Sequence, residues 1–364
     1  MLVNGEHTTS IRYDDSQSFI EIIDQRELPH HLTWERLDTC EQVAVAIEDM
    51  HLRGAPLIGA AAGFGMYFAL KEALSGGQGS FDTKVERLRK TRPTAVNLLW
   101  AIDQQLANLK GANDSEKLKN LWDGAVKIVE DDIRNCAQIG EHGLDIIREI
   151  YEKTQKTVNI LTHCNAGWLA CLDWGTATAP IYMAQKSGIP IHVWVDETRP
   201  RNQGAKLTAW ELQQQGVPCT LISDNTGGHL MQHQMVDLVI VGSDRTTISG
   251  DVANKIGTYL KALAAHDNKI PFYVALPSST FDPTISDGVK EIPIETRGEE
   301  EVTHMDGATK EGIHTVRISP LNVKAINYGF DVTPARLVSA LITEKGVCQA
   351  SKDSITKLYP EFLA

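Results

Sequence analysis

At 364 residues, 42% of them hydrophobic and 23% charged, the chain has the composition of an ordinary globular protein with room for two domains. Its formal net charge of −12 excludes the broad basic surface that non-specific nucleic-acid binding or an anionic membrane requires, so neither partner is expected. Any phosphate ligand must be held by a few local cations against an unfavourable overall field.

The opening residues, MLVNGEHTTS, lack the basic start and apolar core of a signal peptide. The longest uncharged run, Ala55 to Leu70, is too short and too glycine-rich for a membrane span and reads as a buried helix. Cys40, Cys136, Cys164, Cys171, Cys219 and Cys348 form no CxxC pair, which predicts reduced thiols and a cytoplasmic protein.

Residues 1 to about 35 are polar with short β-like pieces such as Ser18 to Ile23, and predict a small meander. From Thr39 to about Glu152 the apolar spacing is helical. Asp38 or Thr39 can cap a first helix, and Arg53-Gly54-Ala55-Pro56 breaks it, with Pro56 suited to the first turn of the next. Arg92-Pro93-Thr94-Ala95-Val96 repeats the device, and a long amphipathic helix spans roughly Ser115 to Glu152. A polar joint there divides the chain into a mostly helical part, residues 1–152, and a second part, residues 153–364.

The second part alternates strands and helices. Strands are predicted at Val158–Thr162, Ile191–Val195, Cys219–Ser223, Leu238–Val241, Phe272–Ala275 and Thr315–Ile318. Helices are predicted near Ala177–Lys186, Leu207–Gln215, His229–Met235 and Asn254–Ala265, with a closing helix over Pro334–Ile342. This alternation implies an α/β fold with a doubly wound parallel sheet.

In such sheets ligands bind at the carboxyl ends of the strands, beside the helix starts that follow. Four successive strand ends here are polar. They carry His163-Cys164-Asn165, the run Asp196 to Gly204 with Gln203, Ser223-Asp224-Asn225, and Ser243-Asp244 followed by Asn254-Lys255. Asp244 reads either as a titratable group in a site or as a cap on its own loop. Cys164 reads either as a thiol beside a helix start or as a small buried hydrophobe. His229 and His233 are four apart but lack a third ligand, so they read as a surface pair and no metal is expected. There is no G-x-G-x-x-G, Walker or G-x-S-x-G motif, and no cofactor is expected.

Taken together, several motifs resemble one family. They are Arg53 to Gly59 (RGAPLIG), Arg92 to Leu98 (RPTAVNL), Thr162 to Gly167 (THCNAG), Asp196 to Pro200 (DETRP), Gly242 to Arg245 (GSDR), Asn254 to Tyr259 (NKIGTY) and Phe330 to Pro334 (FDVTP). The family is methylthioribose-1-phosphate isomerase of methionine salvage. It is related to ribose-1,5-bisphosphate isomerase and to regulatory subunits of the exchange factor for eukaryotic translation initiation factor two. The resemblance implies an N-terminal mostly helical domain, a C-terminal Rossmann-like domain, a site between them, a homodimer and a sugar phosphate substrate. It implies catalytic roles for Asp244 and Cys164, and substrate binding by Arg53, Gly54, Ala55, Arg92, Gln203, Asn254 and Lys255. Tyr328-Gly329 and Ser243 depart from the family's usual residues without replacing any of these groups.

Overall fold

The computed structural model describes residues 1–14, 16, 18–92, 96–109 and 113–363. Strands Ile11–Tyr13, Ile20–Ile23 and Trp34–Leu37 form the small antiparallel meander. Helix α1 (Cys40–Glu48) starts at Thr39, whose hydroxyl accepts the N–H of Gln42 while the Gln42 side chain reaches back, a reciprocal capping box. Helix α2 (Ala55–Leu74) carries Pro56 in its first turn. By length and composition α2 could cross a bilayer, but 78% of its most apolar window is buried, and it is the central core helix. Helices α3 (Phe81–Arg89) and α4 (Val96–Ala107) pack around it. The expected Pro-led start of α4 falls on Pro93, Thr94 and Ala95, outside the described residues.

Helix α5 (Asp114–Thr154) is 41 residues long, capped by Asn113 and Glu116 and ended by Gln155 in a left-handed conformation. Its first half gives Leu121, Trp122 and Ala125 to the core around α2. Its second half gives Ile139 and Ile147 to the core beneath Val158 and Ile160 of the main sheet. One helix therefore belongs to both hydrophobic cores.

The main sheet has seven strands in the spatial order Gly346–Cys348, Ala340–Thr343, Phe272–Ala275, Leu238–Val241, Val158–Thr162, Ile191–Asp196, Cys219–Ile222. All neighbours are parallel except the first pair. Numbered along the chain, the six parallel strands run 3-2-1-4-5-6, the doubly wound order, with its crossover between Val158–Thr162 and Leu238–Val241. Helices α6 (Ala179–Lys186), α7 (Ala209–Gln214), α8 (Thr226–Gln232) and α9 (Thr258–Asp267) connect strands.

Three expectations are corrected. The segment 315–318 is not a sheet strand. Gly312–Arg317 pairs with His304–Thr309 in a separate hairpin whose residues are almost all exposed. Pro334–Ile342 does not form a closing helix. Ala335–Leu337 makes one 3-10 turn, and Ala340–Thr343 becomes the sixth parallel strand, paired through Tyr273 with Ala340 and Val274 with Leu341. Burial of Leu341 and Ile342 beside Phe272–Ala275 outweighs the helical spacing of the local sequence.

Finally, Asn254 and Lys255 do not open a helix. They end a strand, Val252–Lys255, in a second sheet between Arg245–Thr247 and Phe330–Thr333. Helix α9 starts three residues later, because Gly257 takes φ +102° and the Asp331 carboxylate accepts the N–H groups of Gly257 at 2.7 Å and Tyr259 at 3.1 Å. That helix start already holds an anion.

Candidate active site

The parallel strands at the crossover separate as the chain leaves them, so their carboxyl ends frame a crevice. The first ends toward Cys164 and the fourth toward Asp244, and a cavity there is lined by Arg53, Gly54, Ala55, Asn165, Asp244 and Asn254, among others. It lies between the start of α2 and the sheet edge. Gly54 is required at that join. Its φ is +101°, and a Cβ there would stand 2.5 Å from Ala170. Helix α2 has no side-chain cap among the described residues, so its first N–H groups face the cavity uncapped.

Cys164 is 5% exposed and sits at φ +66°, a conformation that a side chain adopts only when its surroundings impose it. The surroundings are two threonines. Thr198 Oγ1 accepts the Cys164 N–H at 2.8 Å, and Thr208 Oγ1 donates to the Cys164 carbonyl at 2.6 Å. Burial pushes the thiol's pKa up, opposed by Arg53 and Lys255 and reinforced by Asp244. The group is held as a thiol. Burial also raises the Asp244 carboxyl, against the pull of Lys255, Arg53 and Arg92. Lys255, 6% exposed with Nζ 4.5 Å from the Phe330 ring centroid, is pushed down by burial and partly restored by Cys164 and Asp244. These shifts come from groups close enough to sense one another: the Cys164 thiol, the acids Asp244 and Glu295, and the cations Arg53, Arg92 and Lys255.

Arg53 donates from Nη1 to Asn165 Oδ1 and from Nη2 to the Asn165 carbonyl at 2.9 Å. Asn165 is fixed in turn by Glu211 on α7, whose Oε1 accepts its Nδ2 at 3.0 Å. Glu211 is fully buried and also accepts from Trp168 N–H, Leu169 N–H and the Tyr182 hydroxyl. Burial pushes its carboxyl up to about 7 against those four donors. Nothing in Ala209-Trp210-Glu211-Leu212 distinguishes this residue in sequence; only the fold shows that it positions Arg53 through Asn165.

His163, next to Cys164, lies in a buried polar network. Its Nδ1 lies 2.9 Å from Asp196 Oδ2 and its Nε2 2.9 Å from the Ile256 carbonyl. Lys261 completes the network at 3.1 Å from Asp196. The network ties the Cys164 strand end to the turn just after Lys255. His163, Asp196 and Asp224 lie close enough to share an ion, but Lys261 already supplies the cation to Asp196. His229 and His233 are both exposed, as a surface pair should be.

Arg92 is 6% exposed and donates from Nε to Glu295 at 3.0 Å, while its Nη1 has no partner among the described residues. Burial lowers its pKa, and its charge acts on Asp244. Glu295 continues to Arg297, then to Glu301 and Arg201, in one chain of ion pairs. Glu301 is held down at about 2, where its guanidinium partners overcome burial, so it is no freely solvated loop acid. Gln203 lies apart from Asp244. It lines an adjacent cavity that Arg53 shares.

Residues 51–350 match the initiation factor 2 subunit family. The chain belongs to that family. Within it, the chain is 54% identical over 362 residues to the methylthioribose-1-phosphate isomerase of Paramagnetospirillum magneticum, covering 99% of each. It is 55% identical over 364 residues to that of Sinorhizobium medicae, covering 99% of this chain and 100% of the relative. Among solved structures it resembles 5-methylthioribose 1-phosphate isomerase from Pyrococcus horikoshii, with TM-score 0.83 and 37% identity over 98% of this chain and 97% of the other. It also resembles the delta subunit of translation initiation factor eIF-2B from A. fulgidus, with TM-score 0.75 and 38% identity over 97% and 100%. Family members named for catalysis and for translation thus share this fold.

Proposed function

We propose that this chain converts 5-methylthioribose 1-phosphate to 5-methylthioribulose 1-phosphate in methionine salvage. The observation that carries this reading is full-length similarity, above 50% identity, to proteins named for that substrate. The protonatable Asp244 and buried Cys164 at the sheet crossover support it. In this reading Asp244 and Cys164 are catalytic, and Arg53, Gly54, Ala55, Arg92, Gln203, Asn254 and Lys255 bind substrate. The enzyme works as a cytoplasmic homodimer, built from a helical unit to about residue 152 and a Rossmann-like unit after it.

The chemistry follows from the groups. The anomeric oxygen carries phosphate, so the sugar cannot open as a simple hemiacetal. Protonated Asp244 gives its proton to the ring oxygen, the bond from that oxygen to C1 breaks, and the phosphate stays on C1. The hydrogen at C2 then moves with its electron pair to C1. The C2 hydroxyl becomes the ketone as its proton passes to Asp244, which is thereby restored. A carboxyl whose pKa is raised by burial suits both transfers. Arg53, Lys255 and the uncapped start of α2 hold the phosphate, which answers the problem posed by the −12 charge. Cys164, kept as a thiol, shields the migrating hydride from water.

A second reading, a translation-factor subunit without catalysis, rests on the likeness to the A. fulgidus chain. Turnover separates the two. The purified full chain is expected to isomerise methylthioribose 1-phosphate at least about tenfold more efficiently than ribose 1,5-bisphosphate. Inactivity on both sugars would favour the second reading, and preference for the bisphosphate would make the chain a sister isomerase.

A further inference from the structure

Beside the cavity that holds Asp244 lies a second of about 70 Å³, and Arg53 lines both. Gln25, Gln203, Met50 and Leu207 contribute to its wall. Gln25 follows the meander strand Ile20–Ile23, in a segment where sequence patterning marks no functional residue. Its backbone N–H donates to the His51 carbonyl at 2.8 Å, and its side-chain Nε2 donates to the Leu169 carbonyl at 2.6 Å. The second bond settles the amide's orientation, because a flipped amide would set oxygen against oxygen. Its Oε1 is therefore an acceptor with a fixed position.

Among the described residues that acceptor has no partner, and neither does Oε1 of Gln203. The two side chains belong to residues only 4% and 5% exposed. Buried carbonyl oxygens without donors are costly, and two of them on residues that line one small cavity point to a ligand that brings donors. The cavity's other cations are already matched, Arg26 with Asp24, Arg201 with Glu301 and Lys206 with Asp306. Among the described residues Arg53 alone of the four has no carboxylate partner, donating instead to the side chain and the carbonyl of Asn165. Two amide acceptors beside one such guanidinium do not make a second phosphate site. They match vicinal hydroxyls next to a phosphate that Arg53 reaches from the other side.

The geometry points to Gln25, working with Gln203, as an acceptor for a hydroxyl of the sugar phosphate, and so as a specificity-determining residue. This rests on the proposed isomerase reading for the identity of the sugar. Leu169 links the subsite to the catalytic frame, since its carbonyl holds Gln25 and its N–H is held by Glu211. A ligand lacking the hydroxyl would leave a buried acceptor unpaired.

The test uses the full chain with Met at position 25, a side chain of similar length that cannot accept such a bond. With methylthioribose 1-phosphate, Gln25→Met is expected to lower kcat/KM by about tenfold to a hundredfold, mainly through KM. Inhibition by inorganic phosphate, which lacks the sugar, should stay within about twofold. The 2-deoxy and 3-deoxy analogues are then measured as competitive inhibitors of both proteins. For the analogue missing the hydroxyl that Gln25 binds, the effect of the substitution should vanish; for the other it should persist. Gln25→Asn, which draws the acceptor back by one methylene, should repeat the pattern, and a melting temperature for each variant separates lost binding from lost fold. Unchanged kcat/KM in both folded variants, or an undiminished loss with both analogues, would overturn the assignment. Wild-type activity is read in the same experiment, so an inactive wild type marks failure of the isomerase reading itself.

Discussion

Asp244→Asn is expected to lower kcat by about 10³-fold while moving KM by less than about threefold. Asparagine keeps the shape of the side chain, and the backbone N–H at 244 donates to the Ala253 carbonyl at 2.9 Å whatever the side chain is, so the loop should hold. What is lost is the proton that opens the ring and the base that later takes one from the C2 hydroxyl. The pH profile gives a second reading of the same group. Burial raises the Asp244 pKa, so the acid form needed at the start persists above the ordinary carboxylate range and is lost as pH rises through the shifted value. The wild-type rate should fall on that alkaline side, and the residual rate of Asp244→Asn should lack that limb. Turnover within tenfold of wild type would remove Asp244 from the chemistry.

Cys164→Ser is expected to cost about 10²-fold in kcat, with inhibition by inorganic phosphate little changed. A hydroxyl in place of a buried thiol is smaller and more strongly hydrated, so it admits polarity where the hydride passes. Cys164→Ala sharpens the result. If the thiol only shields the reacting carbons, alanine should be the milder change of the two. If a thiolate removes the C2 proton, alanine and serine should both be close to inactive. The thiol is buried, with its pKa pushed up despite Arg53 and Lys255, which favours the first outcome. Full activity in both variants would show that Cys164 is only packing.

The parts of the site legible in sequence share a property: each stands where a regular element starts or stops. Gly54 and Pro56 mark the break before α2, and an acid after the apolar run Leu238–Val241 marks a strand end. Strand ends on one edge of a parallel sheet converge, so Cys164 and Asp244 are grouped by the strand pattern, whereas Arg53 joins them only through the family resemblance. The strand order itself was out of reach, because alternation fixes parallel pairing but not which strand lies beside which. Lys255 illustrates a subtler failure. Its neighbourhood reads as a helix start, but Asp331, more than seventy residues away, caps that helix at its true beginning and leaves Lys255 on a strand. Ala340–Thr343 went wrong for the same kind of reason, since its partner Phe272–Ala275 is distant in sequence.

Glu211 and Gln25 had no local signal at all. A glutamate on a short helix and a glutamine just after a meander strand are ordinary surface residues in sequence. They become functional candidates only because the fold buries them, one with four donors converging on it and the other with an acceptor left over. Buried polar groups are informative because burial without a purpose is disfavoured. The fold, not the motif, identifies them.

The most direct test of the account is the fate of the hydrogen at C2. Wild-type protein is given methylthioribose 1-phosphate carrying deuterium at C2, in ordinary water, and the product is examined by NMR. A protected site in which Asp244 handles only oxygen-bound protons, and Cys164 stays a thiol, predicts deuterium retained at C1 of methylthioribulose 1-phosphate. Complete loss of the label to water would contradict it and make one of these groups, or another, a base acting on carbon.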